Sequence, residues 1–187
     1  MSHDVVRLLA MAVMFGVAGS LYAVDGKWTS TTGGLWSDTA NWSGGAVANG
    51  SGSTANFGTI DATTDVTVHL DSARTISGLA FGDAATSTAA GWTLDNNGSA
   101  ANYLVFAGGN TVTVNALGAN KAATISLMLA GSAGLTKMGA GTLVLSGANS
   151  YTGTTTVTAG TLAYGANNVI TLGDVFVNGG TLNMGGY

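Results

Sequence analysis

The side chains able to do chemistry in this sequence are few and scattered. Its 187 residues include five Lys or Arg, two His and nine acidic residues, all of them Asp, and no Cys. His69 sits between Val68 and Leu70 in an apolar, strand-like run. A general base needs a partner acid or a nucleophile within reach. None adjoins it, so His69 reads as a surface or hydrogen-bonded strand residue. Asp71 and Arg74 form the close carboxylate–cation pairing from which a polysaccharide-cleaving site would start, and a salt bridge within a turn is the simpler reading. Asp61 and Asp65 offer oxygens to a calcium ion, but such a hard cation takes about six or more oxygen ligands. The Gly-Gly-x-Gly-x-Asp repeat of calcium-binding solenoids is absent. Lys137 is followed by Met138, so there is no Gly-Lys-Ser/Thr phosphate loop, and no Gly-x-Ser-x-Gly elbow occurs. Without Cys, disulfides and thiolate metal sites are excluded. No catalytic, cofactor or metal constellation emerges, and an enzyme is not expected.

Trp28, Trp36 and Trp42 are the remaining candidates. They stand close together among Gly, Ser, Thr and Asn. A flat indole face can stack on a sugar ring, so a glycan-binding platform is one reading. The preferred reading is a cap: large aromatics that cover the open end of a stack of strands, where exposed backbone edges would otherwise pair with other chains.

Composition says what kind of element must carry these residues. Charged residues make up 7%, against roughly 25% in ordinary globular proteins. Gly occurs 30 times and Thr 26 times, and Pro is absent. Such material favours strands and turns over helices. The net charge is −4, and the five cations are spread along the chain. Duplex nucleic acid needs clustered cations, so no nucleic-acid partner is expected.

The strands repeat. Gly-Thr-Leu occurs at Gly141-Thr142-Leu143, Gly160-Thr161-Leu162 and Gly180-Thr181-Leu182, almost evenly spaced. A period of about 20 with strand-like units marks a solenoid. Side chains alternate faces along a strand, so Leu143, Leu162 and Leu182 form one inward column. Leu145, Tyr164 and Met184 form a second. Val157 matches Val177 and Thr155 matches Val175 on a preceding strand. The Gly before each Thr-Leu suits a corner that needs positive φ.

This stretch resembles the autotransporter-associated β-strand repeat of bacterial surface and secreted proteins. The resemblance rests on Leu135-Thr136-Lys137-Met138-Gly139-Ala140-Gly141-Thr142-Leu143, Leu145-Ser146-Gly147-Ala148-Asn149-Ser150-Tyr151-Thr152-Gly153, Thr155-Thr156-Val157 and Ala159-Gly160-Thr161-Leu162. It implies an all-β fold, a right-handed parallel β-helix with about 20 residues per rung, and supplies no catalytic residues. The family's outer-membrane barrel has no counterpart here, so contact with the outer membrane is expected only through a further C-terminal region.

Read in order, residues 1–23 look like a secretory signal peptide. Arg7 precedes the apolar run of residues 8–18, which is too short for the roughly 20 residues of a membrane span. Residues 24–60 are the Trp-containing cap, and residues 61–187 are the solenoid with its repeat core at 134–184. From 60 to 129 the strand signals continue without a fixed period. Asn97-Gly98 leaves antiparallel hairpins as a competitor there. The last rung, residues 175–184, is expected to expose an edge through which copies self-associate. The expected function is structural: an exported β-helical passenger segment at the cell surface, outer membrane or outside the cell. It would serve display or adhesion, with surface glycans or host and matrix polymers as partners. The alternatives are a carbohydrate-binding module using Trp28, Trp36 or Trp42, and a β-helical polysaccharide lyase or hydrolase.

Overall fold

The computed structural model describes residues 22–85, 90–167, 169–170 and 173–187. The export signal expected at residues 1–23 lies outside them except for its last two residues. The described strands are β1 (Gly26–Lys27), β2 (Gly34–Leu35), β3 (Thr54–Asn56), β4 (Val66–His69), β5 (Arg74–Phe81), β6 (Trp92–Asp95), β7 (Leu104–Val114), β8 (Ala123–Ile125), β9 (Leu129–Ala130), β10 (Leu135–Met138), β11 (Thr142–Leu145), β12 (Thr155–Val157), β13 (Thr161–Tyr164), β14 (Val175–Val177) and β15 (Thr181–Asn183). Helix is confined, among the described residues, to two 3₁₀ turns at Thr39–Asn41 and Ser43–Gly45.

The chain coils between two walls. One stacks β1-β3-β5-β7-β10-β12-β14 and the other β2-β4-β6-β8-β11-β13-β15. The pairs between these strands are parallel throughout, which makes the fold a β-solenoid. In the repeat core the register follows the sequence period: Thr155 faces Val175 and Leu162 faces Leu182. Upstream the rungs are longer, with Val66 facing Trp92 and Trp92 facing Ala123. Longer loops absorb the excess while the strands stay in register. Asn97-Gly98 makes no hairpin; with φ of 49° and 75° the two residues turn the chain after β6.

A third, narrower wall joins the other two. β5 and β7 each run round a corner, so that Arg74 and Ile76 face Leu104 and Phe106 before the register shifts. Leu104 then faces Leu129 of β9. The wall continues through the buried side chain of Asn149, which accepts from the Leu129 amide at 2.9 Å and donates to the Val169 carbonyl at 2.7 Å. Here a carboxamide supplies the hydrogen bonds that a strand backbone would otherwise make.

Alternation decides what is inside. Val66, Trp92, Ala123, Leu143 and Leu162 face one another through successive rungs and are buried, while Thr67, Thr93, Thr124 and Val144 beside them point outward and are half-buried. Burying each large apolar side chain contributes about 1.5–3 kcal/mol. The predicted Leu143/Leu162/Leu182 column stands, and Leu145 faces Tyr164. Met184 does not complete the second column: β15 ends at Asn183, Gly185 (φ 62°) turns the chain, and Met184 is exposed.

The glycines at the corners serve two purposes rather than one. Gly160 has the expected positive φ of 63°, but Gly141 and Gly180 do not; the left-handed residues of those rungs are Gly139 (φ 76°) and Gly179 (φ 101°). Gly141 is needed for closeness, since a Cβ there would meet the Asn115 carbonyl oxygen of the rung beneath at 2.2 Å.

Candidate functional site

The structure places Trp28, Trp36 and Trp42 inside the protein, each at most 2% exposed. Trp42 meets Trp28 and Trp36 edge-on at 5.1 Å between ring centroids, and Phe57 lies 5.6–5.9 Å from all three. Every indole N–H is occupied: Trp28 donates to the Ser30 carbonyl, Trp36 to Ala48 and Trp42 to Trp36, at 2.7–3.0 Å. No indole face is left for a sugar ring. The three rings and Phe57 form one buried cluster at the N-terminal end of the described stack. Trp42 bridges Trp28 in the antiparallel sense and Asn49 bridges Val24, so residues 42–49 cover the outer edge of β1. Solenoid pairing itself begins at Gly26, within the segment read as the cap.

The ionisable residues are paired in ways that chain spacing hides. His69 points outward from β4, and its Nδ1 lies 2.8 Å from Oδ1 of Asp95 on the neighbouring strand β6. Asp95 is the acid that the sequence around His69 does not offer: it lies a whole rung further along the chain, yet next to His69 in register. Asp71 does not bridge to Arg74. It accepts from the Ser37 amide at 3.2 Å and from the Ser37 hydroxyl, because the turn after β4 packs against the turn after β2. Asp65, considered above as a calcium ligand, is bridged by Lys121 at 2.8 Å and accepts from the Gly91 amide at 2.7 Å. Lys121 first, then Gly91, hold its carboxyl below the usual range. No group of three or more His, Cys, Asp or Glu that could hold a metal ion occurs among the described residues.

Lys137 is the residue that sequence reasoning left unassigned. It is fully buried, pointing inward like Leu135 on the same strand. Its ammonium donates to the carbonyls of Met138, Gly139 and Ala159 at 2.8, 2.8 and 3.1 Å. Burial pushes the amine down to about 8. A neutral amine has two protons for three carbonyls, so the charged form fits the site and ties one corner to the corner of the next rung. Strand parity with Leu135 was the signal for it. Tyr151 is equally enclosed: its hydroxyl pairs with the Thr155 hydroxyl at 2.8 Å, and burial raises its pKa to about 12. Lys137, Asn149, Tyr151 and Thr155 are all buried and bonded within the stack. Lys137 and Asn149 tie neighbouring rungs together, Tyr151 and Thr155 pair locally, and none of these buried groups is presented to a substrate.

These four residues fall inside residues 135–163, which match the family model described as Passenger-associated-transport-repeat. A stretch of 92 residues is 40% identical to the adhesin BmaC autotransporter of Brucella suis biovar 1 (strain 1330). That stretch is 46% of this chain and 3% of the adhesin, so the chain spans a small part of that relative's length. No solved structure matches. Residues 135–163 thus carry a passenger-associated transport repeat, in a chain that is similar over part of its length to an autotransporter adhesin.

Proposed function

We propose that this chain is a non-enzymatic segment of an exported, surface-held passenger, and that its role is display or adhesion. The observation that carries the reading is the use of buried polar chemistry. Within the matched repeat, Lys137 and Asn149 bind neighbouring rungs to one another, and Tyr151 and Thr155 form a buried local pair. A long rigid spacer is what such stacking builds, because each rung is stabilised by its neighbours. The likeness to an adhesin supports adhesion as the purpose of the spacer. Surface glycans and matrix polymers are the partners this reading favours.

The test has two arms. Mass spectrometry of the protein from its native host is expected to find a new N-terminus at Leu21 or Val24, and intact Met1 retained in the cytoplasm would refute export. Residues 24–187, displayed on a bacterial surface through an outer-membrane anchor, are expected to raise attachment to immobilised matrix polymers above that of cells carrying the anchor alone. Equal attachment would refute adhesion.

A further inference from the structure

On the outer face of the wall containing β4, β6 and β8, the side chains just ahead of the buried Val66–Trp92–Ala123 column are Asp65, Gly91 and Ala122. Gly91 has no side chain and Ala122 a single methyl, so the face is hollow there. The hollow is a groove of about 250 Å³. Thr93 and Thr124, in register on adjacent strands, form one bank. Asn120 and Lys121 form the other, and Asp65 closes one end.

The polar groups around this groove divide into two kinds. The backbone beneath is satisfied: the Gly91 and Ala122 carbonyls accept from the Val66 and Trp92 amides, and the Gly91 amide donates to Asp65. The banks are different. Among the described residues, the Thr93 and Thr124 hydroxyls and the Asn120 carboxamide make no hydrogen bond within the protein. Asn120 is held at the rim by a left-handed backbone, φ 61°. Asp65 and Lys121 cancel each other's charge and retain unused lone pairs and protons. The groove therefore presents donors and acceptors on both sides without a net field. Charged ligands gain little from such a site, and its lining is more polar than apolar, so an apolar side chain is the poorer match. A ligand that donates and accepts all round its rim fits. We propose that this groove binds one neutral pyranose ring, hydrogen-bonded by Thr93, Thr124, Asn120 and the outer side of the Asp65–Lys121 pair. The volume lies just under the roughly 300–1,000 Å³ of drug-sized pockets, which suits a single ring at the end of a glycan. The inference deepens the adhesion reading by naming a ligand class, and it is testable in solution whether or not the chain is exported.

The experiment is an NMR titration of ¹⁵N-labelled residues 24–187 with the methyl glycosides of glucose, galactose, mannose and N-acetylglucosamine. At least one is expected to give saturable shifts centred on the amides of Gly91, Thr93, Lys121 and Thr124. The double variant Thr93→Ala/Thr124→Ala, whose side chains point outward, is expected to keep the spectrum elsewhere and to bind about tenfold more weakly. Lys121→Gln serves as an independent second variant with the same expected direction. Three outcomes would overturn the proposal: no saturable shift with any of the four sugars, shifts centred elsewhere, or undiminished binding by both variants.

Discussion

Lys137 shows how much a single side chain can reveal. Its pKa falls from an ordinary 10.5 to about 8 because burial disfavours the charge. Between those values the unfolded chain holds a proton that the folded chain has released, so stability rises with pH across that window and is lost as pH falls through about 8. Tyr151 works in the opposite sense. Its pKa is raised from 10.0 to about 12, so above about 10 the folded chain holds a proton that the unfolded chain has lost, and stability falls with rising pH. The urea midpoint of residues 24–187 is therefore expected to climb from pH 8 toward 10 and to turn down beyond it. Lys137→Met should remove the climb and leave the downturn. Parallel pH profiles for the two proteins would show that the ammonium is solvated. At this scale the sequence was half legible. The parity that puts Lys137 inside is visible in Leu135-Thr136-Lys137. The partners of His69 and Asp65, Asp95 and Lys121, lie one and two rungs further along the chain, and only the register of the stack brings them near.

Alternation made the strands legible along the whole solenoid, and their register was legible wherever a constant period joined it. From β10 onward both hold, and Leu143, Leu162 and Leu182 meet as their spacing predicts. Before β10 the alternation survives, as in Val66-Thr67-Val68-His69, but loops of different length destroy the period. The third wall gave no signal, because it is built from a two-residue strand, the corners of β5 and β7, and the side chain of Asn149. The column itself can be tested by two neighbouring substitutions on β13. Leu162 is fully buried between Leu143 and Leu182, whereas Thr161 is half-buried and faces outward. Leu162→Ala is expected to cost roughly 2–5 kcal/mol, since it leaves a cavity in the middle of a packed column. Thr161→Ala should stay within about 0.5 kcal/mol, as outward substitutions usually do. Equal denaturation midpoints would mean that the faces of β13 have been exchanged.

The two ends of the described stack differ, and the difference sets how copies of the polypeptide 24–187 can meet. At the N-terminal end the antiparallel bridges from Asn49 to Val24 and from Trp42 to Trp28 occupy the edge that β1 would offer. At the other end, among the described residues, β14 is paired only to β12 and β15 only to β13. Phe176, Val177, Met184 and Tyr187 are each exposed by half or more there, and no Lys or Arg follows Lys137 in the chain. Unpaired edges with apolar side chains and no positive charge invite strand addition. A head-to-tail filament needs both ends open, and the covered end blocks it. Two C-terminal ends can still meet face to face, and a two-fold contact of that kind closes at the dimer. The isolated polypeptide 24–187 is therefore expected to sediment as a concentration-dependent monomer–dimer system. Phe176→Lys should shift it toward monomer by placing like charges across the two-fold axis. Hydrogen exchange of residues 175–184 should slow as concentration rises, because the contact buries amides that are open in the monomer. A strictly monomeric segment with strong protection in β14 and β15 would show that this end is closed already. Unlimited fibre growth would show that the tryptophan cluster does not seal the other.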